Sequence, residues 1–232
     1  IVYLAGGVIG TFHHLYFAGT PTGVIALGAT FSALEVVPLV FMGFEAYHNL
    51  QLSRATAWVK AYKWPIYFII SVSFWNLVGA GLFGFLINPP IALYYMQGLN
   101  TTPLHGHAAL FGVFGMLAIG LMLFVLKGLT IKYHWKTRML SIAFWTMNGG
   151  LMLMLLLSLL PVGVLQTVAS IKVGMWYARS ADFMQGDTME TLRWLRLIGD
   201  TVFAVGSVAL ALFVVGLKTG WSIDKSQKLY QD

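Results

Sequence analysis

The sequence predicts an all-α fold, a polytopic transmembrane helix bundle. Three observations carry that prediction. Hydrophobic residues make up 58% of the chain and charged residues only 9%, where a soluble domain carries about 25% charged. The apolar residues gather in six runs, most of them near the length of about 20 residues that a membrane-spanning helix needs. Basic residues fall mostly between the runs, as membrane topology requires. The net charge of +6 therefore follows from topology and does not point to nucleic acid. Cys is absent, which excludes disulfides, thiolate-ligated haem and an iron–sulfur cluster held by this chain.

The first run, 1–17, starts at Ile1 without Met and has no charged n-region or cleavage site. It is not a signal peptide, and 1–232 reads as the C-terminal part of one domain in a longer protein. The run closes on His13-His14, and Gly19-Thr20-Pro21 breaks the chain after it. The second run, about 22–48, holds Glu35 well inside. The third, 64–87, carries Gly79-Ala80-Gly81 and Gly84. Such small residues permit close helix approach and equally leave room for a planar macrocycle. The fourth, 102–126, opens on His105-Gly106-His107, with no further ionisable residue until Lys127. The fifth runs about 138–160, with helical pattern extending toward 175. The sixth, about 197–217, has Asp200 near its start.

The connections set an orientation. Segment 49–63 carries Arg54, Lys60 and Lys63, segment 127–138 carries Lys127, Lys132, Lys136 and Arg138, and neither has an acid. The tail adds Lys218, Lys225 and Lys228. Segment 88–101 is uncharged, and 161–196 mixes both signs. The positive-inside rule makes the first set cytoplasmic and the second outer. His13, His14, His105 and His107 then share the outer depth. His48, His134 and Glu45 fall at the cytoplasmic interface, where they read as ordinary interfacial groups.

Histidines buried in a membrane are costly and usually functional. Residues two apart on an α-helix lie about 200° apart around its axis. His105 and His107 therefore face nearly opposite sides and suit two different cofactors, one on each side of a helix thinned by Gly106. Adjacent His13 and His14 reach one metal only from a bent or loop-like helix end. A carboxylate at Glu35 must be protonated, paired or beside a cation. Asp200 follows Arg196 by four residues and allows an ion pair on one helix face. It also suits a helix start, or accepts a hydrogen bond from a membrane-borne reductant.

His13-His14-Leu15-Tyr16-Phe17-Ala18-Gly19-Thr20-Pro21 and His105-Gly106-His107-Ala108-Ala109-Leu110-Phe111-Gly112 resemble the catalytic subunit of the haem-copper oxidase superfamily, most closely its nitric oxide reductase branch. The resemblance runs over essentially the whole chain and implies the last six helices of a twelve-helix core. It implies that His13 and His14 ligate a non-haem metal, His105 is the proximal ligand of a high-spin haem, and His107 is an axial ligand of a low-spin haem. Both haems are expected to be b-type. Glu35 decides the branch: oxygen-reducing relatives carry polar Thr and Lys residues on this helix, whereas nitric oxide reductases have a Glu near the non-haem iron. The implied metal is therefore iron, and Glu35 is linked to proton delivery.

The implied reaction converts 2 NO, two electrons and two protons to N2O and water, two irons holding the two NO molecules close together. Asp200 matches the acid implicated in quinol contact, so quinol is the expected donor and a cytochrome c subunit the alternative. The expected location is the bacterial cytoplasmic membrane. The resemblance places a third His and a Glu for the non-haem iron, and a second axial His for the low-spin haem, on the upstream part of the same protein. Two other readings compete: an oxygen-reducing haem-copper oxidase, and a non-enzymatic transport or structural subunit using Glu35 and Asp200 in an ion path.

Overall fold

The computed structural model describes residues 2–53 and 57–228. Arg54, one of the charges used for orientation, lies outside them. Five helices are long and apolar enough to cross a membrane: Thr22–Glu45, Lys63–Ile87, Thr101–Leu129, Arg138–Lys172 and Asp187–Thr219. They correspond to the second to sixth runs. The first run forms only the nine-residue helix α1 (Val2–Gly10) and a 3₁₀ turn, Thr11–Leu15. Gly19 then turns the chain with φ 73°.

The second span is two helices, α2 (Thr22–Leu34) and α3 (Val36–Ser53), jointed at Glu35. Pro38 causes the joint. Proline has no N–H to offer the Leu34 carbonyl, and its ring crowds that carbonyl. The Glu35 N–H instead closes a tighter bond to the Ser32 carbonyl at 3.2 Å.

α4 (Lys63–Ile87), α5 (Thr101–Leu129) and α6 (Arg138–Lys172) each contain a π-helical stretch: Asn76–Phe83, Ala108–Gly115 and Leu155–Leu159. Such stretches loosen the carbonyl ladder and often mark functional sites. The first two pack against each other. α7 (Asp187–Trp194) leads into α8 (Arg196–Thr219), which ends on Gly220 in the left-handed region, φ 91°.

The core gathers Phe68, Trp75, Leu104, Met116, Leu140, Leu151, Leu155 and Phe213, all fully or almost fully buried. Trp75 Nε1 donates to Asn148 Oδ1 at 2.8 Å and ties α4 to α6. α6 and α8 pack along glycines: a Cβ at Gly199 would lie 2.8 Å from the Gly150 carbonyl oxygen, so the two backbones nearly touch. Leu110, Phe114, Val125, Val208 and Val215 point outward. On a soluble protein such a surface would be an anomaly; on spans whose backbone bonds are satisfied internally it faces lipid. The chain is a multi-pass helical membrane bundle.

Two local features depart from the sequence reading. β1 (Tyr133–Trp135) pairs antiparallel with β2 (Ile223–Lys228), a small exception to the all-α pattern. Lys127, read as a loop charge, is a buried residue of α5. The helix continues through Gly128 to Leu129. The Lys127 Nζ donates to the Tyr133 carbonyl at 2.8 Å and sits 5.1 Å over the Trp135 ring, which replaces solvent for that group.

Candidate metal and haem site

α1 and α2 run antiparallel in close contact, and glycine decides which residues meet. A Cβ at Gly28 would lie 2.6 Å from the His13 backbone nitrogen and 2.7 Å from Phe12 Cβ. One or two turns further along α2, Ser32 meets Gly10 and Glu35 meets Gly6 and Gly7. The 3₁₀ turn seated on Gly28 carries both His13 and His14. Their ring centroids are 4.0 Å apart with the planes tilted by 36°. His13 is buried and His14 exposed.

Glu35 Oε1 is buried without a hydrogen-bond partner among the described residues. It occupies a notch that only glycines leave open, 3.3 Å from where a Gly7 Cβ would stand. Seven residues separate Gly28 from Glu35, about 10 Å along a helix at 1.5 Å per residue. The carboxyl group therefore sits deeper than the histidine turn, by about two turns of α2.

His105 and His107 end the α-helical first turns of α5, and a π-helical stretch follows at once. Their rings address different helices. His105 Nδ1 meets the Gly79 carbonyl of α4 at 2.8 Å. His107 Nδ1 meets the Pro103 carbonyl at 2.8 Å, and its Nε2 meets Arg196 Nη2 of α8 at 2.9 Å. His13 Nδ1 likewise meets the Gly10 carbonyl. A carbonyl oxygen can only accept, so in all three rings Nδ1 carries the proton and Nε2 keeps its lone pair. At His107 the partner of Nε2 is a guanidinium, which can only donate, and this independently requires the same tautomer.

The glycines in α4 divide the two uses left open by the sequence. Gly79 provides close approach, since a Cβ there would stand 2.6 Å from Ala108 Cβ. Gly84 makes room for an imidazole, its would-be Cβ lying 3.1 Å from His105 Cε1. A Cβ at Gly106 would meet no other part of the bundle within 4 Å, so no neighbouring helix packs against that glycine.

The structure brings His13, His14 and His105 within electrostatic reach of one another. His107 stands apart, against Arg196. Asp200 makes the i, i+4 pair, with Arg196 Nε 3.3 Å from Asp200 Oδ2. At 37% and 43% side-chain exposure that pair contributes about 0–1 kcal/mol. Sequence reasoning missed the Arg196–His107 contact, which joins residues 89 apart. It also missed Arg179, which donates to the Gln97 carbonyl and lies 5.3 Å from the Phe17 ring. The single signal for both was an Arg within a mixed-charge segment.

Ligating histidines generally donate their second nitrogen to a carbonyl or carboxylate, which fixes the ring and raises its basicity. His13, His105 and His107 all have this arrangement. Glu35 adds an orphaned carboxylate oxygen. The residues present thus fit a metal at His13 and His14 and haem iron at His105 and His107. No group of three or more His, Asp or Glu positioned for one metal occurs among the described residues. Gly28→Ala would press on backbone and force the histidine turn outward, an overpacking of about 1–3 kcal/mol. In the full-length protein it is expected to lower the content of any metal held by His13 and His14 while leaving haem absorbance unchanged, as read by metal analysis.

The chain is 29% identical over 217 residues to a nitric oxide reductase subunit of Stutzerimonas stutzeri. That match covers 88% of this chain and 43% of the relative, so the chain spans less than half the relative's length. Residues 1–202 match the family described as cytochrome c and quinol oxidase polypeptide I, whose members bind haems and a metal centre. With the histidines presented from the turn after α1 and from the start of α5, and the match covering most of its length, the chain belongs to the cytochrome c and quinol oxidase polypeptide I family of oxidoreductases.

Proposed function

We propose that the full-length protein reduces nitric oxide to N2O in the bacterial cytoplasmic membrane, using electrons from quinol. The observation that carries this reading is Glu35, a carboxyl group held in a glycine notch about two helical turns deeper than the histidine turn, on a helix pair that contains no lysine. The nitric oxide reductase relative supports it. His13 and His14 would hold the non-haem iron, His105 a high-spin b haem and His107 a low-spin b haem. When bound, these groups supply the electron transfer and the binding of NO.

The chain's own residues orient, space and protonate. Main-chain carbonyls at Gly10, Gly79 and Pro103 hold three imidazoles by Nδ1, leaving the Nε2 lone pair for a ligand, and at His107 that nitrogen faces Arg196. Gly106 separates the two histidines within one helical turn, which would give a short covalent path between the groups they hold. Glu35 supplies protons from a site shielded from water by α1. Asp200, at the surface beside Arg196, accepts a hydrogen bond from a quinol hydroxyl.

The family's own name favours a second reading, oxygen reduction at a haem–copper pair. Imidazole ligands suit both metals, so metal content decides. Purified full-length protein is expected to contain iron in excess of its haem and no copper, and to form N2O from NO under reducing conditions. Stoichiometric copper would overturn the proposal.

A further inference from the structure

We propose that a cavity between α3 and α4 is the place where nitric oxide enters from the lipid, with Leu39 and Leu77 as the threshold between it and the histidine site. This rests on the proposed reduction of nitric oxide. The cavity holds about 440 Å³. Leu39, Val40, Phe44, Phe74 and Leu77 give it a mainly apolar lining. Phe44 and Phe74 are exposed, so its mouth lies where the spans face lipid. Gly43 also lines it, and a Cβ there would meet no atom within 4 Å.

Two observations tie the cavity to the site. Leu39 is buried and lies one turn from Glu35, its N–H bonded to the Glu35 carbonyl at 3.2 Å. A Cβ at Gly81 would stand 3.9 Å from Leu39 Cδ1 and 4.0 Å from Leu77 Cδ1. The tips of two lining leucines therefore close the inner end of the cavity over a glycine. Gly84 follows three residues on, about 5 Å along a helix and on the same face. It is the glycine that makes room for the His105 ring. At neither position does α4 put a side chain between the threshold and His105.

The lining selects the occupant. Nitric oxide is a neutral diatomic that dissolves better in lipid than in water. Apolar cavities stay dry and take up apolar guests such as xenon. Packed side chains still hop between rotamers, so two leucine tips can admit a diatomic. A quinol ring or a hydrated ion would need the helices to part.

The test combines xenon-pressurised crystals of the full-length protein with the rate of nitric oxide binding to the reduced protein. Xenon is expected in the native cavity and not in Gly43→Leu, whose side chain fills it. Gly43→Leu is expected to lower the binding rate and kcat/KM about tenfold through a higher entry barrier, with haem absorbance still native. Leu39→Ala opens the threshold and should raise the binding rate. Opposite signs at two lining residues are a signature that general loosening of the bundle does not produce. If Gly43→Leu fails to assemble, Leu39→Ala still decides: an unchanged or lowered binding rate overturns the proposal, as does absence of xenon from the native cavity. A native protein that neither binds nor reduces nitric oxide would instead overturn the proposed reaction.

Discussion

His107→Ala in the full-length protein is expected to abolish the low-spin haem signal and leave the high-spin haem largely loaded, and His105→Ala is expected to do the reverse. The two residues are separated by one glycine, yet one ring bonds to the Gly79 carbonyl of α4 and the other meets Arg196 of α8. Removing either imidazole leaves the other's carbonyl partner in place, because Pro103 and Gly79 belong to different packing contacts. Because the two rings meet different helices, the effect should be loss of one haem and not partial loss of both. Optical spectra of the reduced proteins, with electron paramagnetic resonance of the oxidised ones, separate the two spin states. Loss of the same haem in both variants would refute the assignment of one cofactor to each side of the helix.

Glu35→Ala is expected to retain both haems and to reduce turnover by about a hundredfold to ten-thousandfold, the range for loss of a positioned proton-transfer group. The reasoning is steric as well as chemical. Gly6 and Gly7 leave a notch in α1 that the Glu35 side chain fills, and no hydrogen-bond partner for Oε1 is found there among the described residues. Holding a carboxyl group in a span costs a few kcal/mol, which Ala would relieve. The variant should therefore be at least as stable as the native protein while being nearly inactive. That combination distinguishes a functional group from a structural one. Native turnover in Glu35→Ala would remove the residue from the mechanism. Native haem content with both activity and stability lost would mean that the notch collapses without it.

Much of the spacing of the site is visible in the residues themselves. The 200° separation of His105 and His107 follows from helix periodicity, and the structure sets their rings against different helices. The Arg196–Asp200 pair follows from i, i+4 spacing in the same way. The joint at Glu35 is also local, since Pro38 sits three residues on and removes one helical donor. Gly6, Gly7, Gly10 and Gly28 carried no such signal. Each is read as a site glycine only once its neighbour on the facing helix is known.

The amino-acid sequence by itself determined the membrane class, five of the spans and the positions of the four histidines and two acids, because these depend on composition, run length and helical period. Tertiary structure alone decided that the Gly79 carbonyl holds His105, that Arg196 reaches His107 across 89 residues, that Lys127 is buried under Trp135, and that the first run is a short helix and a 3₁₀ turn. Each of these depends on which helix faces which and on how closely glycine lets the backbones approach. Such contacts join residues far apart in the chain and have no periodicity to reveal them.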